Sequence, residues 1–296
     1  MENIIEWNNK KLVLHEFSKS HANGGRLGKY WVEDLNSGKQ YLIKSSSLFS
    51  YEPFCEKMAY IIGRDLGIDV LEYDILPAEL FRDVIDIHFR CKYVSICEKI
   101  DRKGYSITSV AEIKRAMNAL KAPNEKAYKN KEIMYSILDE KYVDTMILFD
   151  AITGNRDRHY GNVHILRGKD GELLGAPLLD NGNSLLATRQ ILFPFGYKVG
   201  AKYNESCTVE FEHDKQICYI SSINHLSYNV PCKTIQIMND IEPVLELMPK
   251  RRAEYTRRFI IYRLHKYLTL LKREPAEEMV KLKPKYVEYV IKNRDI

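Results

Sequence analysis

The chain has 296 residues, 45% apolar and 29% charged, with a net charge of +5, an ordinary globular composition with room for two lobes. No run of about 18 apolar residues offers a membrane span, and the opening MENIIEWNNKK lacks the basic-then-apolar order of a secretory signal. The six cysteines (Cys55, Cys91, Cys97, Cys207, Cys218, Cys232) form no C-x-x-C pair, which argues against a zinc or redox motif and predicts free thiols in a reducing cytosol.

In chain order, Trp7 to Phe17 reads as a first strand. Ser18 to Lys29 (SKSHANGGRLGK) is a glycine-rich segment in which Gly24, Gly25 and Gly28 would let backbone amides approach phosphate oxygens closely. Trp31–Leu35, Asn36–Lys39 and Gln40–Lys44 read as strand, turn, strand, with Trp7 and Trp31 as core residues. The second strand ends in Lys44, placed to reach a nucleotide phosphate or simply solvated. Ser50 to Leu66 reads as a helix: Pro53 suits its first turn, Phe54, Met58, Ile61, Ile62 and Leu66 make an apolar face, and Gly67 is the expected stop. Glu56 falls off that face, where the helix alone predicts an ordinary surface glutamate. Residues 69–98 carry β-branched and aromatic runs, interrupted by Pro77 and a helical pattern over Ala78–Arg90.

Val110–Lys121 and Asn130–Ile152 read as helices, the second leading straight into GNRDRHYGN. That block sets Asp157 five residues before Asn162. Ile165–Leu166 and Leu173–Leu179 then read as a strand pair with a turn at Gly168–Gly171, ending at Asp180-Asn181-Gly182, eighteen residues after Asn162. Phosphoryl transfer needs one carboxylate near the attacking hydroxyl, and an Asn and a second Asp to hold the magnesium that bridges the phosphates. Asp157, Asn162 and Asp180 supply these parts in order. The alternative is two loops of turn-forming residues without chemistry, which the upstream glycine segment and strand lysine argue against. His159 is expected to pack under the loop and hold its shape. His164, His213 and His225 have no ligand spacing and suggest no metal.

From Lys250 to the end there are fourteen Lys or Arg against six Asp or Glu, a local +8 that leaves about −3 for the rest. Phe259, Ile260, Leu264, Tyr267, Leu268 and Leu271 give this segment a helical apolar stripe. The basic run therefore reads as a solvated helix face, with a docking face for an acidic partner or nucleic acid as the alternative. Helices are expected from Ile235 to Asn293.

The order SxxxxGGRLGK, YLIK, EKMAYIIGRDLGI, ICEKIDR, GNRDRHYGN and LLDNGNS resembles the HipA-like serine/threonine kinases of bacterial toxin–antitoxin systems, over roughly residues 18–190. The resemblance implies an α+β, two-lobed, protein-kinase-like fold: a β-rich N-lobe at 1–97 and a mostly helical C-lobe at 98–296. It implies ATP and Mg2+ as cofactors, Asp157 as the catalytic carboxylate, and Asn162 and Asp180 as metal ligands. Lys44, aligned by Glu56, would contact phosphates under the loop of Gly24, Gly25, Gly28 and Lys29, with His159 beside them. Val94–Arg102 resembles the family hinge, so Glu98 and Ile100 would offer backbone groups to adenine and Asp101 would face the ribose.

Two departures stand out. The family's self-phosphorylated serine precedes its glycines, whereas here Ala22 takes the tight-alignment position and Ser18 and Ser20 are the nearest candidates. The family's extra amino-terminal subdomain is also missing ahead of the loop, or is supplied by another chain. The implied partners are a protein substrate, such as an aminoacyl-tRNA synthetase or another translation factor, and an antitoxin. Stable membrane association and direct nucleic-acid binding are not expected, and the expected location is the cytoplasm. Phosphatidylinositol kinases share the D-R-H-x-x-N and D-x-G pattern and form the second reading; a nucleotide-binding partner without turnover is the third.

Overall fold

The computed structural model describes residues 4–14, 28–45, 51–81, 92–119, 130–187, 213–217, 220 and 230–268. Ser18, Ser20, Gly24, Gly25, the stretch around Pro194 and the helices expected beyond Leu268 lie outside them.

The amino-terminal part is a six-stranded antiparallel sheet in the order β1-β2-β3-β4-β6-β5. β1 (Ile5–Trp7) and β2 (Lys10–Leu14) form a hairpin, not the single strand expected from Trp7 to Phe17. Asn8 and Asn9 both take positive φ (45° and 62°), the pair of left-handed residues that a two-residue type I′ turn requires. β3 (Lys29–Asp34) and β4 (Gln40–Lys44) follow as expected. Asp34 organises the turn between them, accepting from Ser37 Oγ (2.6 Å) and from Lys11 N (2.9 Å). β5 (Asp74–Pro77) and β6 (Tyr93–Glu98) complete the sheet.

Directly paired residues of an antiparallel sheet share a face. One face gathers Leu12, Val32, Tyr41, Ile43, Val94 and Ile96 into a closed core with Phe81. The other carries Trp31, Leu42, Lys44 and Cys97, because Trp31 lies opposite Leu42, Leu42 opposite Cys97, and Lys29 opposite Lys44. Trp31 is thus half-buried on the second face with Lys99 over its ring, and Trp7 is half-buried with its ring edge-on to Tyr41; neither is a full core residue.

Helix α1 (Glu52–Asp65) packs against β5, β6 and a later helix, α6. Gly67 follows its end at φ 68°, as the sequence predicts. β7 (Tyr105–Ser109) leads into α2 (Val110–Ala119) and pairs with β8 (His164–Gly168), which pairs with β9 (Leu173–Gly175). The expected helix over 130–152 is two helices, α3 (Asn130–Ile137) and α4 (Glu140–Thr153). Asp139 between them caps α4 by accepting from Tyr142 N, and a capping aspartate both starts one helix and interrupts the other. The strand expected to run to Leu179 stops at Gly175. Pro177 has no N–H to continue a ladder, and Leu178 bridges to Val70 instead.

α5 (His213–Ile217), α6 (Val230–Glu246) and α7 (Lys250–Leu268) complete the described elements. One large core joins α1, α3, α4, α6 and α7 with Val163, Ile165, Leu178 and Leu185. The solvated basic face expected from Lys250 onward is met in α7 only at Lys250 and Arg251, which are exposed. Arg252 and Arg263 are buried. Arg257 pairs with Glu242 and Glu254, Arg258 with Glu254, and Lys266 with Asp214. Arg257–Glu242 ties α7 to α6 and Lys266–Asp214 ties it to α5, while the two Glu254 pairs lie within α7. No helix among the described residues is long and apolar enough to cross a membrane.

Candidate active site

α4 ends at Gly154, whose φ of 62° turns the chain sharply out of the helix. A Cβ there would meet Phe259 Cζ at 2.7 Å, so both the conformation and the close approach call for glycine. The loop that follows holds itself together. Asp157 N donates to Asn155 Oδ1 (2.9 Å), and Asn162 Nδ2 donates to the Asp157 carbonyl (2.8 Å). The second bond engages the amide nitrogen of Asn162 within the loop.

Lys44 Nζ has three donors, and all are used: Glu56 Oε1 at 2.9 Å, Asp180 Oδ1 at 2.8 Å and the Tyr73 hydroxyl at 3.0 Å. Burial works against its charge, but Glu56, Tyr73 and Asp180 outweigh that and hold its pKa well above the usual lysine value. Glu56 is buried, contrary to the surface glutamate that its helix predicts, and both its oxygens are engaged. Oε2 accepts from Asn181 N at 2.8 Å. The glutamate therefore fixes the lysine and the Asp180 segment together.

Asp180 takes positive φ (57°). Burial raises its carboxyl, yet Lys44, Lys29 and the hydrogen bond from Lys44 outweigh this and hold it well below the usual carboxylate range. Asp157 is shifted the other way. Burial raises it, as does Asp180, against the lowering pull of His159.

His159 does not pack under the loop. Its side chain is 53% exposed, with Nε2 3.9 Å from the Asp157 carboxylate, while Nδ1 accepts from Gly161 N (3.1 Å). It shapes the loop from outside, as the cap of a short 3-10 turn over Tyr160–Asn162. The side chain under the loop is Arg158, fully buried and paired with Asp150. Nothing in a single sequence separates this arginine from a surface one. Arg158, Asp150, Asn155, Asn181 and Tyr73 are the site residues that sequence reasoning missed.

Lys29 faces Lys44 across the strands, and its charge reaches both Asp157 and Asp180. The Gly28 carbonyl accepts from Ser45 N (2.9 Å), which closes the base of the glycine segment. Glu98 ends β6, with its carboxylate on Lys39 at the surface. Ile100 is half-buried and Asp101 exposed in the loop beyond. The donors fit Mg2+, a hard ion that prefers oxygen and keeps waters and substrate phosphates in its shell. The Asn162 amide oxygen and the ionised Asp180 are such donors. Among the described residues no group of three or more His, Cys, Asp or Glu forms a ready-made metal cage.

The fold has a solved counterpart. The structure of the Helicobacter pylori proinflammatory kinase CtkA matches with a TM-score of 0.58 at 17% identity, over 87% of this chain and 93% of that one. At that identity the likeness is one of fold, and the fold is kinase-like, of mixed α and β structure. A Shewanella oneidensis MR-1 toxin–antitoxin complex of HipA, HipB and operator DNA matches with a TM-score of 0.41 at 13% identity, over 93% of this chain and 67% of the matched one. No protein-family model and no curated protein sequence matches the chain.

Proposed function

We propose that this chain is an ATP- and Mg2+-dependent serine/threonine protein kinase of the HipA-like type, with its nucleotide held between an N-lobe at 1–97 and a C-lobe at 98–296. The observation that carries the reading is the triple engagement of Lys44 by Glu56, Asp180 and Tyr73. A buried lysine held between two carboxylates suits a group that exchanges one of them for a phosphate oxygen. The kinase-like fold shared with CtkA supports the same reading.

Asp157 takes the proton of an incoming hydroxyl as that oxygen bonds to the γ-phosphorus and the bond to the β–γ bridging oxygen breaks. ADP is then the leaving group. Lys44 and Lys29 hold phosphate oxygens. Asn162 and Asp180 would hold Mg2+, which when bound neutralises phosphate charge. Glu98 and Ile100 offer backbone groups to adenine, Asp101 faces the ribose, and His159 lies beside the phosphates. By the same resemblance, Ser18 or Ser20 is the candidate for self-phosphorylation, the substrate is a protein of the translation machinery, and an antitoxin is the regulatory partner.

The test is transfer of radiolabelled γ-phosphate, with Asp157→Ala as the control. Label on protein serine or threonine, absent in the variant, is the expected result. Label on phosphatidylinositol would favour the lipid-kinase reading, and no label on either, with nucleotide still bound, would favour a partner without turnover.

A further inference from the structure

Arg158 is, with Arg263, the largest fully buried side chain among the described residues, and its guanidinium uses every donor it has. Nε donates to both oxygens of Asp150 at 3.2 Å. Nη2 donates to Asp150 Oδ1 at 3.1 Å and also to Asn181 Oδ1. Nη1 donates to the carbonyl of Asn162 at 3.2 Å and also to the carbonyl of Leu179. Guanidinium has five N–H groups in one rigid plane. Here two are spent on its counter-ion. The other three fall on Asn162, on the residue before Asp180 and on the residue after it.

Asn181 completes the unit. It is fully buried, a position where an amide is costly unless its groups are satisfied. Its oxygen accepts from Arg158 and from Asn155 Nδ2 (3.3 Å), its Nδ2 donates to the Leu178 carbonyl (3.4 Å), and its backbone N–H donates to Glu56. A continuous chain of polar contacts thus runs from Asp150 on α4, through Arg158 and Asn181, to Glu56 on α1 and Lys44 on β4. Burying an ion pair such as Arg158–Asp150 is a poor way to gain stability, because desolvation offsets the attraction. A rigid fork that touches the backbones on both sides of a gap is a good way to fix a distance.

We propose that Arg158 and Asn181 are positioning residues that set the separation and orientation of the two metal-holding side chains, Asn162 and Asp180. This rests on the kinase reading above and adds that the metal site is built from beneath by one guanidinium. Neither side chain touches the reacting atoms. A lysine at 158 would present three donors from a single point and could not span Asp150, both carbonyls and the amide. A leucine at 181 would keep the branched shape and lose the junction, while leaving the Arg158–Asp150 pair and its support of the fold in place.

The experiment is equilibrium binding of a non-hydrolysable ATP analogue to the full chain, once with Mg2+ and once with EDTA, for wild type, Arg158→Lys and Asn181→Leu. The readout is the ratio of the two dissociation constants. A purely structural role would lower the folded fraction and scale both constants alike, leaving the ratio unchanged. The proposal expects a large ratio for wild type, an EDTA affinity kept within about twofold in the variants, and a ratio reduced about tenfold or more, as for residues that orient metal ligands from behind. Should Arg158→Lys not fold, Asn181→Leu decides. A variant ratio equal to that of wild type overturns the proposal and leaves the kinase reading standing. A wild-type ratio near one overturns both.

Discussion

Asp157 and Asp180 carry the same side chain in opposite surroundings. Asp180 is 29% exposed and ion-paired, and its carboxyl is held well below the ordinary range by Lys44 and Lys29 against the cost of burial. Asp157 is 49% exposed, and burial and the charge of Asp180 push it upward. A carboxylate that stays ionised at any working pH suits a cation. One whose proton affinity is raised suits a hydroxyl that must lose a proton. On the proposed reading, the surroundings divide the labour between two aspartates that the sequence distinguishes only by position. The half of the site around Asp180 is locked by buried polar contacts, whereas the half around Asp157 and His159 stands open.

The largest effect tests that division directly. Asp157→Ala and Asp180→Ala are each expected to lower phosphate transfer by roughly 10³-fold or more, near the upper range for a proton-transfer group. Only Asp180→Ala should weaken Mg2+-dependent nucleotide binding. Transfer assays and calorimetry on the two variants check this. Equal binding losses would erase the distinction between the two carboxylates.

A smaller effect is expected one step back from the chemistry. Glu56 grips Lys44 with one oxygen and the Asn181 amide with the other. Glu56→Ala should therefore cost as much transfer as Lys44→Ala, within a few-fold, although it is the lysine that is assigned to the phosphates. The double variant should be little worse than either single one, because residues that act as a unit are not additive. A fully additive cycle would mean that Glu56 and Lys44 work separately and that the locked half of the site is no lock.

The family resemblance pairs Glu56 with Lys44, but the helix pattern alone does not, and the reason is physical. Periodicity places Glu56 off the apolar stripe of α1, where glutamates are normally solvated. It cannot register that Lys44, Asn181 and Asp180 cover that face from elsewhere in the chain. The same blindness hid Arg158, whose burial depends on Asp150 and two backbone carbonyls, and it put His159 beneath a loop that it caps from outside. What the sequence did carry was local. The Asp157, Asn162 and Asp180 spacing, the strand ending at Lys44, and the stop at Gly67 each follow from short-range chemistry. The Asn8–Asn9 turn is equally local, but an apolar run on its far side reads as one longer strand. The role of α7 was illegible, since a basic helix that pairs with Glu242, Glu254 and Asp214 has the composition of a solvated one.

The smallest expected effect is a shift in pH dependence, and it sharpens the contrast between the two aspartates. The proton acceptor must be ionised, so the rate should rise with pH through the pKa of Asp157. Because that pKa is raised, the acid limb should lie above the range of an ordinary aspartate. Asp180, held low, stays ionised across the limb and adds nothing to it. His159 is the group whose charge most lowers Asp157. Replacing it as His159→Gln removes that pull and should move the limb to higher pH, while a polar side chain remains to receive the Gly161 amide. The measurement is kcat against pH for wild type and variant under saturating nucleotide. A limb that stays in place, or moves to lower pH, would mean that the limb belongs to another group and that Asp157 is not the proton acceptor.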